Sequence, residues 1–102
     1  MGLYDNPGAS VVPGRKTVTS AGTAEALSST NTSVREIIIT AETDNTGIIA
    51  VGDSSVVASL STRTGLPLSA GDTAVLDVGN LGSTYIDATV SGDGVTYLAV
   101  LA

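Results

Sequence analysis

The stretch 66–102, LPLSAGDTAVLDVGNLGSTYIDATVSGDGVTYLAVLA, constrains the fold more than any other part of the chain. It holds three apolar runs of strand length, at 73–78, 84–90 and 95–101, too short for stable helices. Gly79-Asn80-Leu81-Gly82 separates the first two and Ser91-Gly92-Asp93-Gly94 the last two. Runs of this length between Gly/Asn/Asp/Ser clusters predict an antiparallel meander. Asp93-Gly94 is a favoured hairpin pair, because glycine accepts the positive φ of a tight turn. Alternation places Ala74, Leu76 and Val78 on one face, opposite Val75 and Asp77. Ile86, Ala88 and Val90 likewise oppose Tyr85 and Asp87. The last run is apolar on both faces, so it is expected inside the structure rather than at a bare edge.

The same grammar extends upstream. Residues 34–41, VREIIITA, form the strongest strand, and the three successive isoleucines require cover on both faces, from a second sheet or another subunit. GIIAV (47–51) is expected to return as its hairpin partner across the turn ETDNT. Shorter strands are expected at KTVTS (16–20), at 24–27 and at 56–60. No segment carries a helical apolar stripe. The fold class is therefore all-β: an antiparallel β-sandwich or jelly-roll-like barrel of about eight short strands. Residues 1–14 hold two of the three prolines and read as an extended arm, with 15–102 as one β-sandwich domain. Leu3, Tyr4, Val11 and Val12 give the arm apolar side chains that suit docking on a neighbouring subunit, a host assembly or its own domain.

Composition narrows the chemistry. The chain has 102 residues, no Cys and no His, so thiolate sites, disulfides and histidine bases are absent. A net charge of −6 disfavours a duplex-binding surface, which needs clustered cations. No run approaches the ~18 apolar residues of a membrane span. Neither nucleic acid nor a membrane is an expected partner, and the N-terminal residues lack the pattern of a signal peptide. With 3% aromatic residues the core must be built from Val, Ile, Leu and Ala. A domain this small buries only ~60–70% of its unfolded surface, which makes oligomerisation a natural remedy.

Glu42, Asp44, Thr46, Gly47 and Asp53 loosely echo a calcium loop, but no helices flank them, and a turn whose Asx side chains bond their own backbone accounts for the pattern. Asp72, Asp77, Asp87 and Asp93 do not read as paired catalytic acids. The first and last lie in turns, and Asp77 and Asp87 point away from the expected core as solvated groups. Tyr4, Tyr85 and Tyr97 are too scattered for a sugar-stacking platform, although a sugar-binding sandwich is an alternative. Lys16 is expected to be exposed. No enzyme activity and no cofactor are expected, since no nucleophile–base pair or metal set is present.

The segments AGTAEALSS (21–29), NTGIIAVGD (45–53), LPLSAGDTAVLDV (66–78) and YIDATVSGDGVTYLAV (85–100) resemble small virion proteins of tailed bacteriophages. The likeness covers most of the chain from about residue 17. It implies a β-sandwich module that decorates or cements a capsid, or that sits on a head fibre or tail appendage. It further implies a homo-oligomer, often a trimer, bound to the major capsid protein or another virion protein and made in the host cytoplasm. A host-recognition module that binds carbohydrate is the alternative on the same likeness. The expected interface is Leu3, Tyr4, Val11, Val12, Arg15, Lys16 and Arg35, the three cations facing an acidic partner surface.

Overall fold

The structure, a computed structural model, describes residues 10–102. Eight strands follow one another: β1 (Val11–Thr17), β2 (Glu25–Ala26), β3 (Val34–Ala41), β4 (Ile49–Gly52), β5 (Leu66–Leu68), β6 (Thr73–Leu76), β7 (Tyr85–Ala88) and β8 (Gly94–Leu101). They form two antiparallel four-stranded sheets, one ordered β1-β8-β3-β6 and the other β2-β7-β4-β5. The pairs β1–β8, β2–β7, β3–β6 and β4–β5 together describe one long antiparallel ribbon whose successive rungs fall alternately in the two sheets. The pairs β3–β8 and β4–β7 close each sheet. This winding is that of a jelly roll.

The predicted all-β sandwich therefore stands, but two local pairings do not. The three runs of 66–102 are not a meander: β6 and β8 share a sheet with β3 between them, and β7 lies in the other sheet. Nor is GIIAV the hairpin partner of VREIIITA, because β3 and β4 face each other from opposite sheets. The physical reason is burial. Ile37, Ile39 and Ala41 of β3 and Ile49 and Val51 of β4 all need a dry partner surface, and stacking the sheets joins them in one core. Residues 56–60 form no strand; a bridge between Val57 and Thr64 and a short 3-10 turn at Leu60–Thr62 stand there instead. The turn 91–94 crosses between sheets. Its positive φ, +97°, falls on Gly92, while Gly94 is buried at the start of β8.

The core between the sheets includes Val18, Leu27, Val34, Ile37, Ile39, Ile49, Ile86, Val95 and Ala99. Each fully buried isoleucine contributes about 1.5–3 kcal/mol relative to exposure. β8 lies between β1 and β3 and so is not a bare edge, as expected, although only its Val95–Ala99 face meets the core. β1 takes in 11–14, which the sequence reading assigned to the arm. The carbonyl of Ser10 accepts the Leu101 N–H at 2.8 Å, so alternate residues Val12, Gly14 and Lys16 face β8. Pro13, which has no N–H to give, then falls on the open side of this edge strand, where proline is tolerated. Gly14 lies directly under the Tyr97 ring of β8, and a Cβ there would overlap the ring.

Candidate interaction surface

The two sheets differ in how their outer faces are covered. On the β2-β7-β4-β5 sheet, Ala50 and Asp87 are register partners that point away from the main core. The loops that carry Val56, Ala58 and Ala24 fold over them, and with Tyr85 they make a second, smaller apolar cluster. Asp87 is consequently 0% exposed. This overturns the expectation of a solvated side chain. Alternation correctly placed it opposite Ile86 and Ala88, but the cover comes from chain segments about 30 and 65 residues upstream. One carboxylate oxygen accepts the Gly22 N–H at 2.9 Å and the other the Ala58 N–H at 2.8 Å, so this aspartate ties both covering loops to β7. Asp77, by contrast, is exposed.

On the β1-β8-β3-β6 sheet the loop that follows β3 reaches the polar flank of the outer face, through Glu42 and Asp44, and leaves the apolar part exposed. Register places Pro13, Leu98, Ile38 and Val75 side by side in one row that crosses all four strands. Val11 and Val100 stand beside it. Val75 is 59% exposed, and Ile38 and Leu98 are half-buried. Ile38 is the middle isoleucine of the triplet, so the cover demanded by its outward face is not supplied by residues 10–102. On the other flank the row gives way to Arg15, Thr96, Thr40 and Thr73, where the two threonine hydroxyls of 40 and 73 bond at 2.8 Å. The residues of this row lay outside the interface expected from sequence, since only register reveals that they align; the isoleucine triplet was the one signal.

The expected interface residues are dispersed. Leu3 and Tyr4 lie outside the described residues. Val11 is exposed on the outer face and Val12 at the rim of the core. Arg15 forms a fork to Glu42, with Nε to one oxygen at 2.6 Å and Nη2 to the other at 2.9 Å. That hydrogen bond and the glutamate charge raise the guanidinium further above its ordinary value. Lys16 is only partly exposed and bridges the mouth of the sandwich to Glu25 of β2 at 3.0 Å. Burial pushes the Glu25 carboxyl up, but N–H donors from Ser20 and Thr19 together with Lys16 outweigh it and hold it below the usual carboxylate range. Arg35 is exposed beside the irregularity in β3 between Val34 and Glu36.

The stretch that echoed a calcium loop is occupied by protein contacts. The Asn45 amide pairs with both the N–H and the carbonyl of Gly94, at 2.9 Å each. Asp93, buried and not merely locally bonded as expected for a turn, accepts the N–H groups of Thr46 and Gly47 at 3.1 and 2.7 Å. Asp53 bonds Ser55 through its hydroxyl and its N–H, which lowers its pKa. Asp72 does bond locally, to the Ser69 N–H. Among the described residues no group of three or more Asp or Glu side chains is placed to hold a metal ion. A depression of about 520 Å³ lies over Arg15, Glu42 and Asp44 on the polar flank of the uncovered sheet.

No family model, no curated protein and no solved structure matches the chain.

Proposed function

We propose that this chain is a structural subunit of a virus particle of the tailed-phage kind, a capsid decoration or cement protein that works as a homo-oligomer, with three copies as the expected number. The observation that carries the reading is the uncovered apolar row Pro13–Leu98–Ile38–Val75 on a sandwich whose other sheet is covered by its own loops. Apolar side chains aligned across four strands gain by burial in an assembly, and contacts that exist only there stabilise the folded subunit by mass action. The likeness of the sequence to small virion proteins supports the same reading. The jelly-roll winding adds an analogy, since that architecture serves in viral capsid domains and also in lectins. The arm, in this account, links subunits or reaches the capsid protein.

The carbohydrate-binding alternative has less support. Tyr97 packs against the main core and Tyr85 against the smaller cluster, so neither ring is free to form a platform.

Light scattering tests the reading on the intact chain. The expected result is an oligomeric mass that falls to that of one chain in Val75→Asp, which charges the row at an exposed position. A single-chain mass for the unaltered protein at about 100 µM, well above most stable assembly constants, would overturn it.

A further inference from the structure

Accepting the oligomer just proposed, we infer that the occupant of the uncovered row is the segment 1–9 of a neighbouring copy, seated through Leu3 and Tyr4. Three observations select it. First, the patch is a strip. Four strands at ~4.8 Å spacing make it some 15–20 Å long, and it is one apolar row wide with Val11 and Val100 on its flank, where Glu36 stands beside Val100, about 10 Å in all. Two such patches face to face bury on the order of 500 Å², well short of the ~1,200 Å² of a stable interface. The strip suits one extended segment better than a second sheet.

Second, the chain outside the described residues has the required content and reach. Leu3 and Tyr4 are its large apolar side chains beyond Met1, and Asp5 follows them. Seven peptide steps separate Leu3 from Ser10, a span of up to about 25 Å when extended. Third, the direction at Ser10 is fixed by its bond to the Leu101 N–H. β1 runs from there toward Pro13, so the described chain enters the sheet at the end away from the row. A neighbour's row is reached without reversing the chain, and Arg35, exposed at the same end of the sheet, offers a cation for Asp5. A contact from each copy to the next is heterologous and closes into a ring when the rotation permits, as in a trimer.

Disulfide trapping on the full chain tests this, because the protein has no cysteine of its own. In the double variant Leu3→Cys/Leu98→Cys, mild oxidation is expected to give cross-linked multimers several-fold faster than in Leu3→Cys/Leu60→Cys, since Leu60 is 80% exposed and remote from the row. Mixing Leu3→Cys chains with Leu98→Cys chains is expected to give the mixed dimer. A purely intramolecular disulfide would overturn the inference. So would cross-linking no faster than the Leu60 control while light scattering still reports an oligomer, a result that leaves the oligomer standing. A single-chain mass for the uncross-linked protein would remove both.

Discussion

Replacing Asp87 by asparagine keeps the side chain's shape and exchanges one acceptor oxygen for an NH2 donor. In the wild type both oxygens take a backbone N–H, from Gly22 and from Ala58, at a site with no exposure. Whichever way the amide turns, one of those N–H groups meets a donor and is left unpaired. An unsatisfied buried donor costs about 1–3 kcal/mol, and the surviving bond loses its charge assistance. Against this, a neutral amide is cheaper to bury than a carboxylate. The net expectation is a loss of about 2 kcal/mol, which lowers Tm by roughly 8–16 °C in a domain of this size. Asp87→Ala orphans both N–H groups and is expected to cost more, about 3–5 kcal/mol. Urea titration gives the free energies, and hydrogen exchange gives a local signature, faster exchange at the Gly22 and Ala58 amides. Asp77→Asn is the control, with an expected change within about 0.5 kcal/mol. If Asp87→Asn is as stable as wild type, or Asp77→Asn is equally damaging, the assignment of Asp87 as the tie between β7 and its covering loops is refuted.

Other consequences follow from the same contacts. Gly14→Val drives a side chain into the Tyr97 ring and is expected to cost about 1–3 kcal/mol, and the double variant with Tyr97→Ala is expected to lose less than the sum of the two single variants, as read by thermal melts. Asn45→Ala removes both bonds to Gly94 and is expected to cost about 2 kcal/mol and to raise exchange at the Gly94 amide. Glu25 has its pKa lowered in the folded state, so its stabilisation is present above the unfolded value near 4.3 and is lost as the pH falls through the lower folded value. The stability gap between wild type and Glu25→Gln should therefore be largest at neutral pH and shrink below about pH 4, measured by urea titration at both.

Local chemistry in the sequence was enough for the character of the longer apolar strands, though not for 11–14, which joins β1, or 56–60, which forms no strand; it was enough too for which residues alternate to which face and for the place of β8 inside its sheet. The boundaries of β3, at Val34 and Ala41, follow from its apolar run, and Ile86 and Ala88 face the core as their spacing demands. Pairing was another matter. Val11 finds Val100, and Thr40 finds Thr73, across separations that no neighbouring residue encodes. Those partners are chosen by which apolar faces can be buried together, so a stretch that reads as a meander winds instead into two sheets. The same long-range choice put Asp87 under loops from elsewhere in the chain. It also aligned Pro13, Leu98, Ile38 and Val75 from four separate strands into one row. A period of two determines the face on which a side chain stands; only the packing of distant segments decides whether that face is covered, because burial is a property of the whole assembly of strands and not of any one of them.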